Sequence, residues 1–257
     1  MENYLRNLAL STAALLTMLV FVQCQKTASP AESAASATEK TDRLNSAEQA
    51  AAADASLILT DSLPACVHDK IYSMPVEPLS DTERNVLEFV REEELLAHDV
   101  YVFLGAHYNL PIFKHIAKSE RFHANVMLAL LQKYALADPA ENHQEGVFAN
   151  SDIQLLYNQF TEQGLLSLED ALTVGETIED FDIADLVAHL DGDVDNADLG
   201  FSLEQLTKGS RNHLRAFYAH LSFRNLTYTP QYISQEMYDQ IVASPWETGN
   251  GFCGCAM

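Results

Sequence analysis

The stretch SERFHANV constrains this chain more than any other. It sets a carboxylate and an imidazole one helical turn apart on a face that is otherwise apolar. Around it, the run PIFKHIAKSERFHANVMLALLQKY carries Phe113, Ile116, Met127, Leu130 and Tyr134 at helical spacing, the mark of an amphipathic helix. Continued through the gap, that stripe passes over Glu120 and His123. A charge facing inward is costly unless it is paired or bound to metal. Any fold for this chain must therefore supply interior partners for both residues.

Three other predicted helices carry the same interruption. The first opens at Ser80, where Ser80-x-x-Glu83 forms a capping box. Its apolar line runs Leu87, Val90, Glu94, Ala97, Tyr101, Leu104, Tyr108, and of Glu92, Glu93 and Glu94 only the last falls on it. Pro111 then restarts the chain as the helix of Glu120 and His123. A third helix from about Ser167 shows Leu172, Glu176, Glu179, Ile183, Leu186 and Leu190. The fourth, with a capping box at Ser202-x-x-Gln205, shows Leu206, Ser210, His213, Phe217 and then His220 or Leu221. Between the second and third lies a long connection, ADPAENHQEGVFAN, with a short helix SDIQLLYNQFTEQG ended by Gly164. A connection of that length suits a bundle with one crossover. Past the fourth helix, TYTPQYISQEMYDQIVASP predicts an extended strap and a short helix capped at Ser234. No strand pattern stands out. The expected fold is all-α, a four-helix bundle with one long crossover containing a short helix, plus a C-terminal strap.

Glu94, Glu120, His123, Glu176, Glu179 and His213 thus interrupt the four stripes about midway along each helix. Four ionised glutamates offset two divalent cations; left uncompensated, each would cost several kcal/mol or hold its proton. The same spacings supply the ligands of di-iron and di-manganese centres in helical bundles. Tyr101 is expected to hydrogen-bond a ligand carboxylate, and Ser210 stands one turn before His213. Arg211 and Arg215 flank His213 and are expected to pair with Asp182 or Asp185. His98 is expected beside the bundle, partly exposed.

Composition narrows the function. A formal charge of −22 argues against a nucleic-acid partner, which needs a basic face. The hydrophobic content of 47% allows a sizeable core. At the start, Arg6 precedes an apolar run from Leu8 to Val22, short for a spanning helix and typical of an export signal. Cys24 follows as in a lipoprotein signal, although Gln23 stands where such signals prefer a small residue. Export to a periplasmic or cell-surface location with an N-terminal membrane tether is expected; lipidation at Cys24 and an uncleaved anchor are the alternatives. If Cys24 is lipidated, Cys66, Cys253 and Cys255 cannot all pair within one chain. Cys253-Gly-Cys255 fits a mobile tail better than an iron or zinc site. Lys26 to Ala55, rich in small polar residues, is expected as a tether, and LPACVHDKIYSMPVEP as a lead-in without clear period. In DGDVDNADLG, Asp191, Asp193 and Asp195 resemble the start of a calcium loop, but Asn196 replaces the turn glycine and Ser202 the bidentate Glu, so a polar loop is the better account. The expected segments are 1–24, 25–78, 79–222 and 223–257.

The stretches REEELLAHDVY, LPIFKHIAKSERFH, GVFANSDIQLLYNQF, EDALTVGETIEDFDIADL, GSRNHLRAF and YTPQYISQEMYDQI, spread from Leu79 to Ile241, carry a resemblance. The chain resembles the ferritin-like superfamily, and more closely the bacterial ferritin-like domain of unknown function 2202 (DUF2202). The resemblance implies a ferritin-like bundle with a rubrerythrin-like di-metal carboxylate centre. In that pattern a Glu seven residues before a Tyr maps onto Glu94 and Tyr101, the E-x-x-H onto Glu120 and His123, and the third-helix acid onto Glu179 or Glu176. Glu94 with His123 and Glu179 with His213 would then be terminal ligands, Glu120 would bridge, and Glu176 would bridge or switch with Glu179. The chain departs from the pattern at Ser210, where a second E-x-x-H has its Glu. The implied cofactor is two iron ions, or manganese, with a single bound ion as the alternative. The implied activity is Fe(II) oxidation or peroxide reduction, fed by an external electron donor, since no rubredoxin-like domain is present. A non-catalytic metal-binding or protein-interaction module of the cell envelope is the other reading. The partners expected are metal ions, that donor, the membrane through the N-terminus, and a second copy in a homodimer.

Overall fold

The computed structural model describes residues 34–56, 63–249 and 251–253, and among them there are eight helices and no strand, only an isolated bridge between Gln144 and Val147. The helices are α1 (Ala34–Ser56), α2 (Ala65–Ser73), α3 (Asp81–Tyr108), α4 (Pro111–Lys133), α5 (Ser151–Gly164), α6 (Leu168–Gly192), α7 (Ala197–Phe223) and α8 (Gln235–Ala243). The long helices α3, α4, α6 and α7 pack together as an all-α bundle. The crossover helix α5 lies against α3 and α6. Local chemistry sets the boundaries. Ser80 and Glu83 complete the capping box of α3. Asn109, in the left-handed region at φ 51°, ends that helix, and Pro111 begins the next at a position that needs no N–H. Asn150, Ser167 and Ser234 cap α5, α6 and α8 with side-chain oxygens.

A polar layer divides the core in two. On one side Tyr101, Leu104, Phe113, Ile116 and Phe217 belong to one apolar cluster. On the other, Val90, Met127, Leu130, Leu203 and Leu206 belong to a second. Along each bundle helix the chain passes from one cluster to the other, and the residues at the crossing are the glutamates and histidines picked out by the stripe interruptions. Gly175 makes the close packing near this layer possible, because a Cβ there would meet the Phe217 ring at 2.4 Å.

Four expectations are corrected. The segment expected as a tether contains α1, which packs on α4 and α7 and buries Ala47 and Ala51; its alanines permit the close approach. The lead-in contains α2, whose Val67 and Ile71 are buried. The fourth bundle helix begins after Asn196, so Ser202 lies inside α7, and the polar loop shrinks to the few residues after Gly192. The backbone N–H groups of Asp195 and Asn196 donate to Glu83 Oε1 there. The fourth correction concerns the tail: Cys253 forms a disulfide with Cys66, 187 residues away. It seats Phe252 edge-on against Phe122 and Phe201. Such a distant pairing leaves no local trace in the sequence. The apolar run Leu8–Val22, Cys24 and Cys255 lie outside the described residues. Among those described, no helix is long and apolar enough to cross a membrane.

The strap is held by Asp180, which accepts from the Tyr228 hydroxyl (2.7 Å) and the N–H groups of Gln231, Tyr232 and Ile233 (2.6, 3.1 and 2.8 Å). Arg215, expected near the centre, serves the same C-terminal segment. Its guanidinium donates to Ile241 O, Asn212 Oδ1, Ser244 Oγ and Glu247 Oε1. Arg211 pairs with Glu247 as well, rather than with Asp182 or Asp185. Both arginines leave α7 on the side facing the strap, where a carboxylate meets them without being drawn into the core.

Candidate metal centre

Three adjacent acids on α3 illustrate how the layer is built. Successive helical residues are about 100° apart, so Glu92, Glu93 and Glu94 point three ways. Glu92 accepts from the N–H of Asn150 in the crossover. Glu93 faces Asp182 and Asp185 on α6. Glu94 enters the bundle axis, where it meets the Glu120–His123 pair of α4.

Glu94, Glu120 and His123 bring one donor atom each within 4.8 Å of one another, and so do Glu120, Glu179 and His213. All five residues are buried. Glu120 belongs to both groups and divides its oxygens between them. Its Oε2 lies 2.8 Å from His123 Nδ1, and its Oε1 lies 2.7 Å from His213 Nδ1. Glu94 Oε2 is 3.2 Å from His123 Nδ1, and Glu179 Oε2 is 3.4 Å from His213 Nδ1. The two imidazoles lie 5.6 Å apart, inclined by 29°.

Closeness without alignment marks the second group. Glu120 Oε1, Glu179 Oε2 and both nitrogens of His213 are buried with no hydrogen-bond partner among the described residues. Donor atoms around a shared ion, at bonds of about 2.0–2.2 Å, sit roughly 3 Å apart when their bonds are at right angles. The contacts of His213 fit that separation better than they fit a hydrogen bond. Carboxylate and imidazole donors together suit first-row ions such as iron and manganese. The residues present therefore fit a bound metal, and these buried groups could hold one.

Electrostatics agrees with the geometry. Burial and the neighbouring Glu120 raise Glu179 to about 7, while burial lifts Glu94 to about 8 against the pull of His123. Burial also acts on Glu120, but His213 and His123 overcome it and hold that carboxyl well below its usual range. Burial disfavours the imidazolium of His123, yet Glu94 and Glu120 raise it to about 10. For His213 the same opposition of burial against Glu120 and Glu179 ends well above the ordinary histidine value. Positive charge is favoured at two places, one on each side of Glu120.

Two packing features fix the ligand-like atoms. The Tyr101 hydroxyl donates to Glu179 Oε1 at 2.5 Å and to Gly175 O at 3.3 Å, leaving Glu179 Oε2 turned towards His213. Gly209 makes room for the His123 ring, since a Cβ there would lie 2.5 Å from both Cε1 and Nε2. A glycine inside a helix costs about 1 kcal/mol relative to alanine, so a glycine in the middle of α7 is itself the mark of a close approach. Ser210, where the fourth helix departs from the E-x-x-H pattern, is fully buried and donates back to Leu206 O at 3.2 Å.

Glu176 falls outside both groups. Steps of three rotate a side chain by about −60° around a helix, so Glu176 and Glu179 diverge. The Tyr238 hydroxyl of α8 donates to Glu176 Oε1 at 3.3 Å, and burial pushes its carboxyl well above the usual range. His98 is buried rather than partly exposed. Its Nδ1 lies 2.8 Å from Asp99 Oδ1, which ties it to the network anchoring the crossover.

An all-α bundle whose interior layer joins two Glu–His groups through one glutamate is the class of protein that this fold and site define. The chain belongs to the family described as "Uncharacterized protein domain (DUF2202)", whose profile matches residues 83–245. It is similar to the uncharacterized protein MJ0754 of Methanocaldococcus jannaschii, at 48% identity over 179 residues, covering 70% of this chain and 96% of that protein. A crystal structure of hypothetical protein MJ0754 from Methanococcus jannaschii is similar in fold, with a TM-score of 0.66 and 47% identity over 68% of this chain and 99% of the other.

Proposed function

We propose that this chain is an exported, membrane-tethered ferritin-like protein that holds a pair of iron or manganese ions. The observation that carries the reading is the division of Glu120, one oxygen towards His123 and the other towards His213. Glu94 and His123 would hold one ion and Glu179 and His213 the other, with Glu120 placed between the two groups. When bound, such a pair would relay electrons from Fe(II) to oxygen or peroxide, or from an external donor to peroxide, the oxygen species being the one reduced. The chain's own contribution is to exclude water, to fix Glu179 through Tyr101 and to seat His123 against Gly209. The imidazoles lose their protons to free their nitrogens, so metal uptake releases protons. An external donor supplies electrons. Export is supported by the Arg6 and Leu8–Val22 pattern ahead of Cys24 and by the Cys66–Cys253 disulfide, a bond typical of oxidising compartments.

An anaerobic Fe(II) titration followed by a pulse of oxygen or peroxide tests the catalytic part. Rapid oxidant consumption in proportion to bound iron supports an oxidoreductase. Stable metal with no oxidant uptake supports a second reading, a non-catalytic metal-binding or protein-interaction module of the cell envelope. Ser210 favours that second reading, because its hydroxyl bonds its own helix where the ferritin-like pattern has a glutamate.

A further inference from the structure

Residues 247–249 and 251–253 run back along α7, opposite to the direction of the helix. Asn212 meets Glu247 twice, accepting from its N–H at 3.1 Å and donating to its carbonyl at 3.0 Å. Lys208 donates to the carbonyls of Thr248 and Gly249, and the Gly251 N–H donates to Gln205 Oε1 at 2.9 Å. Phe252 then lies edge-on against Phe201. Steps of four, three and four from Asn212 to Phe201 keep these contacts on one face of α7. Gly209, against which the His123 ring is seated, belongs to the same turns. Phe122 of α4 closes the other side, its ring 6.2 Å from that of Phe252 and 6.2 Å from that of His123. The tail therefore covers the seam between α4 and α7 beside His123.

The Cys66–Cys253 bond fastens this tail to α2. Cys66 is exposed and Cys253 half-buried, so a thiolate from solution can reach the bond. Cys66 is the second residue of α2, whose first turn holds no acid and whose N-cap, Pro64, offers no side-chain oxygen. A helix N-terminus lowers the pKa of a cysteine, and a stabilised thiolate both leaves more readily and favours the reduced form. The two ends of the bond are not held equally. α2 buries Val67 and Ile71, and Lys133 of α4 donates to its Ile71 and Met74 carbonyls. Apart from Phe252, the tail is held by hydrogen bonds that are exposed or half-buried, the kind that open first.

We propose that the Cys66–Cys253 disulfide is a redox-active site that takes a dithiol reductant, and that its reduction releases the tail from the α4–α7 seam beside His123. A donor thiolate attacks the exposed Cys66 Sγ, the bond between the two cysteines breaks, and Cys253 leaves as a thiolate. The donor's second thiolate then attacks the donor sulfur of the mixed disulfide, and Cys66 leaves. Two electrons pass to the protein, the donor ends as a disulfide, and its two protons end on Cys66 and Cys253. The latch stands without the metal reading; only its effect on metal exchange rests on that reading.

Dithiothreitol added to the full chain without denaturant tests this, with acid quenching, alkylation and peptide mapping to follow each cysteine. Cys66 and Cys253 are expected to become reduced while circular dichroism holds its helical signal. Hydrogen exchange read by mass spectrometry should then quicken at least tenfold in peptides spanning residues 244–253, but not in those of α3 and α6. Oxidised glutathione should restore the slow exchange, and Cys66→Ser should exchange at the fast rate with or without reductant. A bond that resists dithiothreitol until the bundle unfolds, or a tail equally protected in both forms, overturns the proposal. Chelator extraction from the chain loaded with Mn(II) is expected to run at least tenfold faster after reduction, and equal rates overturn the cover over the seam. A chain that binds no Mn(II) in either form counts against the central reading, and hydrogen exchange alone then decides the latch.

Discussion

Breaking the Cys66–Cys253 disulfide should destabilise the protein by a calculable amount. The bond closes a loop of 187 residues. Chain-entropy reasoning assigns such a loop roughly 5 kcal/mol at 25 °C, an upper value because reduced chains retain structure. Here the ends stay partly held without the bond, through buried Val67 and Ile71 on α2 and through Phe252 between Phe122 and Phe201. The expected cost is therefore about 3 kcal/mol. For a chain of this size each kcal/mol moves the melting temperature by about 2–4 °C, which predicts a fall of about 6–12 °C. Cys66→Ser is the right perturbation, since Cys255 stands two residues from Cys253 and could replace it. Calorimetry of Cys66→Ser beside wild type, with and without reductant, gives the numbers. Reductant should lower the wild-type melting temperature to that of the variant and leave the variant unmoved. A Cys66→Ser variant within 1 °C of wild type in the absence of reductant would refute the reasoning.

Three further outcomes follow from single contacts. Gly209→Ala forces the His123 ring from its seat, so metal affinity should fall and the bundle should lose about 1–3 kcal/mol to overpacking, read by metal titration and denaturant unfolding. Tyr101→Phe removes the hydroxyl that orients Glu179, and metal affinity should fall about 10- to 100-fold with the helical content unchanged by circular dichroism. Asp99 anchors the crossover by accepting from His143, His98 and the Gly146 N–H, which hold its carboxyl at about 2 against the opposing effect of burial. A depressed folded-state value stabilises above the ordinary aspartate range and is lost as the pH falls towards 2. Wild type should thus exceed Asp99→Asn by about 2 kcal/mol at pH 6, and the gap should close near pH 2. A gap that stays constant across that range contradicts the assignment.

Periodicity made the bundle legible because each helix had to bury one face, and a buried carboxylate or imidazole stands out on an apolar stripe. Glu94, Glu120, His123, Glu179 and His213 were picked on that ground, and the structure places them in one interior layer. Glu176 shows the limit: two acids three residues apart both interrupt a loosely drawn stripe, and only the partner elements decide which of them turns inward. Arg215 and Arg211 were misplaced because a nearby acid on α6 was a plausible partner, while Glu247 lies 32 and 36 residues further on. Contacts of that range, like the disulfide, carry no local signal.

Metal content per chain, measured on protein purified without chelators, bears most directly on the central layer. Wild type should carry iron or manganese, and Glu120→Ala should lose the two central ions together, because both groups share that one carboxylate. A wild-type chain free of metal, or a Glu120→Ala chain with the same metal and the same stability, would contradict the account.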